Sequence, residues 1–279
     1  MVKEYLRPKT PEEALALLRG RSGSRLLSGG TYLLSSRFAG EPMTLISLAG
    51  ILPDKASFRG KELVLGANLS FSGLLEADGL PAALVDAALS MGNRNIRNRA
   101  TVGGNIGADK SCSSLIPFFI VSRARYERVD MSPVGAEAWS SLDAGERGIV
   151  SGVTIPSMEG RKIAFGRFGR VAGDVSIVTC AVSAELSGDG RLRDLLVALG
   201  GMGPKARRFP EIERLFEGSK IPATAEIERG AAPCLTPVSD IRGSESYKRQ
   251  RGAALLADLL SSLTANPAQA TETREARAW

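Results

Sequence analysis

No histidine occurs among the 279 residues. That absence removes a Ser-His-Asp or Cys-His nucleophile, a histidine general base and every histidine-containing metal site. Cysteine is nearly as scarce: Cys112, Cys180 and Cys234 lie far apart and form no CxxC pair. The chain therefore cannot hold an iron–sulfur cluster or a structural zinc by itself, and the three read as free thiols in a reducing cytosol. Long apolar runs are missing too. None approaches the ~20 residues of a membrane span, and no charged leader followed by an apolar stretch opens the sequence, so a cytoplasmic protein with no membrane partner is expected. A block of single-signed charge is also lacking. The net charge is +6, but the 36 basic residues are scattered among 30 acidic ones, which argues against a nucleic-acid partner. What remains is a chain with 43% hydrophobic residues, long enough for two domains with real cores.

The opening pattern predicts a strand at Glu4–Arg7. A helix follows, whose first turn carries a capping box: Thr10 at the N-cap, Pro11 at N1 and Glu13 at N3. Strands at Arg25–Ser28 and Thr44–Leu48 complete a small βαββ unit ending near residue 55. A second unit holds the strand Glu62–Ala67, helical stretches at Phe71–Glu76 and Pro81–Ser90, an apolar run at Leu115–Arg125 and a strand Gly148–Ile155 stopped by Pro156. Residues 130–147, rich in Ser, Gly and Ala, read as a surface connection. From about residue 161 the texture changes to strands at Ile163–Arg167, Ser176–Leu186 and Arg191–Leu199, the last two joined by a Gly188-Asp189-Gly190 turn. Helices follow at Pro210–Glu217 and Glu245–Leu263, and the polar last fifteen residues lack periodicity and read as a free tail. The class is α+β, with sheets and helices segregated rather than alternating in a parallel βαβ array.

Two segments could carry chemistry. Ser28-Gly29-Gly30-Thr31 and Thr101-Val102-Gly103-Gly104-Asn105 each read as an extended stretch, a glycine pair and a small polar residue. Glycine lets backbone approach a pyrophosphate and takes φ > 0, so that successive N–H groups can converge on an anion. A Cβ branch at Gly30 or Gly104 would then fill the volume that a diphosphate needs. Either pair alone reads equally as a tight turn. Neither is a GxGxxG or a GxxxxGK[ST], which excludes the Rossmann and P-loop patterns.

Leu27-Ser28-Gly29-Gly30-Thr31-Tyr32-Leu33-Leu34, Ile96-Arg97-Asn98-Arg99-Ala100-Thr101-Val102-Gly103-Gly104-Asn105-Ile106 and Asp240-Ile241-Arg242-Gly243-Ser244 with Tyr247 together resemble the FAD-binding medium subunit of the molybdenum hydroxylases. That family includes the flavoproteins of xanthine dehydrogenase and carbon monoxide dehydrogenase, and the resemblance runs from about residue 3 to 262. It implies a two-subdomain FAD-binding domain of the PCMH type over 1–160 (1–55 and 56–160). A C-terminal domain with a three-stranded antiparallel sheet and helices would follow over 161–263, with a tail at 264–279. It implies FAD as cofactor, wrapped at its diphosphate by Leu27–Leu34 on one side and Thr101–Asn105 on the other. Val150 would fall near the flavin ring and Arg167 near a basic position by the isoalloxazine, though an exposed strand arginine reads the same way. Arg97 reads as a flavin contact or as a salt-bridge partner.

The resemblance implies partners as well: a [2Fe–2S] subunit delivering electrons and a large molybdopterin subunit oxidising the substrate, with NAD or another acceptor taking electrons from the flavin. Such a role needs no acid, base or nucleophile from this chain. Three departures stand out. Ser114 takes the place of an acidic ribityl partner, Tyr32 stands where an aspartate is frequent, and residues 126–147 are shorter than the family's equivalent. They leave room for a structural subunit with degraded flavin binding, and the wider superfamily leaves room for a stand-alone FAD-dependent oxidoreductase.

Overall fold

The computed structural model describes residues 2–35 and 42–264. The tail expected over 264–279 lies, apart from Thr264, outside them. In chain order the elements are β1 (Val2–Leu6), α1 (Pro11–Gly20), β2 (Ser24–Leu27), β3 (Met43–Ser47), β4 (Ala56–Arg59), β5 (Glu62–Gly66), α2 (Phe71–Leu75), α3 (Ala82–Leu89), α4 (Arg94–Arg97), α5 (Val102–Ala108) and α6 (Ile116–Val121). There follow β6 (Arg125–Arg128), β7 (Met131–Gly135), α7 (Ala136–Trp139), α8 (Ala144–Arg147), β8 (Val150–Ile155), β9 (Arg161–Phe168), β10 (Val178–Leu186), β11 (Leu192–Gly200), β12 (Arg207–Arg208), α9 (Pro210–Phe216), α10 (Thr224–Ala231) and α11 (Glu245–Ser262). The chain divides into two compact units. One is drawn from Met1–Gly79, Met91–Asp109 and Arg123–Ser157, the other from Leu80–Ser90, Lys110–Ser122 and Met158–Trp279.

The first unit contains two sheets. In the smaller, β3 lies between β1 and β2 and pairs with both in parallel. Helix α1 starts as expected, the Thr10 hydroxyl accepting from the Glu13 N–H, while the Glu13 carboxylate reaches past the cap to the Lys9 N–H at 2.6 Å. The larger sheet has the order β4-β5-β8-β6-β7 with antiparallel pairing throughout. Its central strand β8 is buried at every position but Ser151.

The surface connection expected at 130–147 is corrected here. Residues 125–135 form a hairpin that closes the edge of the larger sheet, turning through Asp130 at φ +54°, and α7 and α8 follow. Trp139, only 2% exposed, meets Tyr126 edge-to-face at 5.6 Å and donates its indole N–H to the Ile106 carbonyl. Such strands are too short and too interrupted, by Pro133 and Gly135, to show a period. Strand β4 and helix α10 likewise escaped notice. Ile227 and Ala231 are the only buried residues of α10, too few for a stripe.

The second unit is built on β12-β11-β10-β9, antiparallel throughout: the three long strands expected, plus the two-residue edge β12. Cys180, Val182 and Ala184 of β10 join Leu256, Leu260 and Leu263 of the α11 segment in one core, and the fully apolar α6 packs on β10 and β11. Each fully buried leucine of this kind contributes roughly 1.5–3 kcal/mol. Cys180 is buried, and Cys112 and Cys234 are half-buried. Burial pushes all three thiols above their ordinary pKa.

Candidate functional site

Three chain segments of the first unit meet at a polar junction. The Ser28 hydroxyl, just past the end of β2, donates to Asn68 Oδ1 at 2.6 Å and lies 2.9 Å from Thr101 Oγ1. Asn68, just past β5, donates its amide to the Leu48 carbonyl at 2.6 Å. Thr101 caps α5, its hydroxyl accepting from the Gly104 N–H at 3.1 Å. Around this junction opens a cleft of about 290 Å³, lined by Ser28, Gly29, Asn68, Ser70, Asn98, Arg99 and Thr101 together with Gly50 and Asp54. That volume is at the lower end for a small-molecule site, enough for part of a dinucleotide.

The two glycine pairs do different jobs. Gly29 cannot carry a side chain, because a Cβ there would lie 1.7 Å from the Arg99 carbonyl oxygen. Gly30 takes φ +76°, and the chain then folds into a turn in which the Leu34 N–H bonds to the Gly30 carbonyl and the Ser35 N–H to the Tyr32 carbonyl. Among the described residues, the N–H groups of Gly29, Gly30, Thr31 and Leu33 donate to no backbone carbonyl. Leu27 ends β2, its carbonyl bonded to the Leu48 N–H, and Leu34 is 57% exposed.

The second pair forms neither a tight turn nor an open cradle but the first turn of α5. The Val102 N–H donates to the Leu69 carbonyl, the Gly103 N–H to the Ala67 carbonyl and the Gly104 N–H to Thr101 Oγ1, while the Asn105 N–H makes the first helical bond. No converging set of free N–H groups remains there. Gly103 is glycine for packing: a Cβ would meet Ala67 Cβ at 2.8 Å. A Cβ at Gly104 would meet Thr101 Oγ1 at 2.8 Å, so a branch there displaces the hydroxyl rather than filling an open cradle.

The remaining candidates fall elsewhere. Val150 opens β8 opposite Arg128 and is 8% exposed. Ser114 is buried just before α6, and Arg167 lies on β9; both belong to the second unit. The Arg167 guanidinium donates to the carbonyls of Val171, Ala172 and Asp174, and burial lowers its pKa. Arg97 forms no salt bridge among the described residues and donates to the Met91 and Gly92 carbonyls. Sequence reasoning passed over Asn68 and Arg99 as site residues. No motif marks Asn68, and Arg99 stands inside the Ile96–Ile106 segment without a role of its own. Its guanidinium forms no ion pair among the described residues.

Residues 1–157 match the family described as the FAD binding domain in molybdopterin dehydrogenase, and residues 163–263 the CO dehydrogenase flavoprotein C-terminal domain. The chain belongs to this flavoprotein family. It is similar to the carbon monoxide dehydrogenase medium chain of Hydrogenophaga pseudoflava, 30% identical in an alignment of 269 positions that covers 88% of this chain and 91% of that one. The uncharacterized protein YgfM of Escherichia coli (strain K12) is 28% identical over 261 residues, 93% of this chain and 95% of that one. Among solved structures, the carbon monoxide dehydrogenase of Hydrogenophaga pseudoflava lacking the Mo-pyranopterin moiety of its molybdenum cofactor aligns with a TM-score of 0.83 at 26% identity, covering 93% of this chain and 96% of that one. The flavoprotein is thus an FAD-binding oxidoreductase subunit of the molybdenum hydroxylase family. Among its described residues no helix is long and apolar enough to cross a membrane.

The junction suits such a cofactor. A diphosphate needs donors and little bulk, and the Gly29–Leu33 turn has N–H groups that meet no backbone carbonyl, next to a cleft lined by Ser28, Ser70, Thr101 and Arg99.

Proposed function

We propose that this flavoprotein is the electron-collecting subunit of a three-component complex. A large molybdopterin subunit oxidises the substrate, a [2Fe–2S] subunit carries the electrons one at a time, and NAD or another acceptor takes them from this chain in pairs. FAD supplies the exchange between one-electron and two-electron chemistry. The cleft at the Ser28–Asn68–Thr101 junction is the observation that carries the reading. There the N–H groups of Gly29, Gly30, Thr31 and Leu33 would bind the diphosphate, and Arg99 would balance its charge. Thr101 would act through its hydroxyl and Ser28 would hold that hydroxyl in place. Val102, Gly103 and Asn105 would fix the helix that carries Thr101. The Asp54 carboxylate on the same rim accepts hydrogen bonds, so it suits a ribose hydroxyl or an amino group rather than a phosphate. Leu27, Tyr32 and Leu34 would shape the turn, and Val150 would line the ring's surroundings.

Three cysteines with no CxxC spacing support placing the clusters on another chain. The purified flavoprotein, reconstituted with FAD, is expected to retain one flavin per chain. Arg99→Ala should weaken it by about tenfold or more, the size of one charge-assisted hydrogen bond. A chain that shows no flavin absorbance after reconstitution would be a structural subunit. Turnover of a substrate by the isolated chain at the rate of a whole complex would make it a stand-alone enzyme.

A further inference from the structure

Asn68, which no motif marks, is where the hydrogen bonds of the cleft converge. Its backbone N–H donates to the Pro53 carbonyl at 2.8 Å, its side-chain amide donates to the Leu48 carbonyl at 2.6 Å, and its Oδ1 lies 2.6 Å from the Ser28 hydroxyl. One residue thus ties the segments around Ser28, Leu48 and Pro53 together.

Each proton in this row of bonds has one place to go. The Asn68 Nδ2 faces a carbonyl, which makes Oδ1 the atom that faces Ser28, and Oδ1 has no proton to give. Ser28 therefore spends its single proton on Asn68. The Thr101 hydroxyl, 2.9 Å from Ser28 Oγ, must then donate across that contact, because two bare oxygens at this distance would repel. Thr101 Oγ1 also accepts from the Gly104 N–H at 3.1 Å. Each hydroxyl oxygen is left with one open lone pair and no open proton. The pair can accept a hydrogen bond from a ligand but cannot donate one.

A carboxylate of the same cleft has the same polarity. Asp54 lines it and forms no ion pair among the described residues. Its backbone is held on both sides, by the Pro53 carbonyl bonded to Asn68 and by the Lys55 carbonyl, which accepts from the Gly66 N–H at 2.9 Å. A Cβ at Gly66 would come within 2.4 Å of the Pro53 carbonyl oxygen, so the two backbones are pressed close there. A phosphate oxygen, itself an acceptor, gains nothing from Ser28, Thr101 or Asp54. A hydroxyl does.

We infer that Asn68 is a positioning residue that fixes the Ser28–Thr101 pair as hydrogen-bond acceptors, so that the pair receives a sugar hydroxyl of the cofactor rather than its diphosphate. The inference rests on the proposed function, in which the Gly29–Leu33 N–H groups and Arg99 bind the diphosphate. FAD carries hydroxyls on both sides of that diphosphate, on the adenosine ribose and on the ribityl chain, and the acceptors suit either. The cleft then divides its labour, with donors for the charge and acceptors for the neighbouring hydroxyls.

The test measures dissociation constants of the full chain for FAD and for analogues in which each ribose or ribityl hydroxyl is replaced in turn. Fluorine in its place cannot donate; an amino group can. At one position the fluorine analogue should bind about fivefold more weakly than FAD, the worth of one hydrogen bond, while the amino analogue does not, and that position identifies the sugar. In Asn68→Leu the Ser28 proton returns to the pair and can turn to the fluorine, so the ratio between that analogue and FAD should fall toward one. Asn68→Asp keeps an acceptor for Ser28 and should retain the ratio, even where its added charge weakens FAD as a whole. A merely structural Asn68 would lower every affinity alike, and a ratio undiminished in Asn68→Leu overturns the inference. So does a series in which fluorine costs nothing, or in which the amino analogue is as weak as the fluorine one. Should Asn68→Leu fail to fold, Ser28→Ala takes its place: it frees the Thr101 proton to meet the fluorine, and a ratio that survives it is equally fatal. If the unsubstituted chain takes up no FAD, the proposed function falls first and this inference with it, a result that the FAD measurement alone reports.

Discussion

A methyl group at Gly29 has nowhere to go, since the Arg99 carbonyl oxygen stands 1.7 Å from its ideal position and belongs to backbone that cannot swing away. Gly29→Ala should therefore melt far below the unsubstituted protein, or fail to fold, whether or not FAD is present. Gly30→Ala meets only flexible leucine ends, so its cost is the left-handed backbone alone, about 1–2 kcal/mol. Gly104→Ala acts on the Thr101 hydroxyl. Its Cβ would press on Thr101 Oγ1, and rotating that side chain away breaks both its Ser28 contact and the cap it gives the Gly104 N–H. Weaker FAD binding by several-fold is expected, together with a loss of stability of about 1 kcal/mol for the cap. An unchanged FAD dissociation constant would remove the Thr101 hydroxyl from the site. The glycine pairs look alike in sequence because residue type records that a Cβ is intolerable, but not whether backbone dihedral, neighbouring carbonyl or ligand makes it so.

Helix α5 has only seven residues and cannot stand on propensity, so its position depends on what grips its ends. At its start Thr101 is tied to Ser28. At its end Asp109, in a left-handed cap at φ +42°, accepts from the Ser140 hydroxyl at 2.9 Å and pairs with Arg147 at 2.9 Å, while Arg147 lies 5.2 Å from the Trp139 ring centre. The segment 136–147, which lacks periodicity, is thus the brace that seats the helix carrying Thr101. Asp109→Ala leaves Arg147 largely buried and unpaired, which should cost about 3 kcal/mol and loosen FAD as well. Thermal melts of the FAD-free and FAD-loaded variant would show both effects, and a variant that melts like the unsubstituted protein would refute the brace. Strands β8, β10 and β11 and helix α11 were legible because each buries several apolar residues close together in sequence. The brace was not, because its specificity rests on single contacts of Asp109, Trp139 and Arg147 across sequence. Asn68 and Arg99 escaped for the same reason, their role arising only where three segments converge.

The whole chain joins a unit that contains the proposed cofactor cleft to one that contains the Asp240–Lys248–Arg242 cluster, so ligand and pH should act on different parts of the molecule. FAD at a hundred times its dissociation constant adds about 2.7 kcal/mol to whatever cooperative unit binds it. Acid should act on the other. Burial works to raise the Asp240 carboxyl, but the hydrogen bonds from Arg242 and Lys248 outweigh it and hold the group well below the ordinary carboxylate value of about 4. A depressed folded-state pKa means that the unfolded chain takes up the proton first. The contribution of Asp240 is therefore complete above pH about 4 and drains away as the pH falls from there toward the lower folded-state value. Partial exposure of the carboxylate screens the effect, so a modest gap is expected. Asp240→Asn should melt lower than the unsubstituted protein at neutral pH, and the gap should begin to narrow once the pH falls below about 4 and keep narrowing as it falls further. FAD should shift the melting of the first unit in both proteins alike. A gap that stays constant from neutral to acid pH would mean that Asp240 supports its loop through shape and hydrogen bonds rather than through charge.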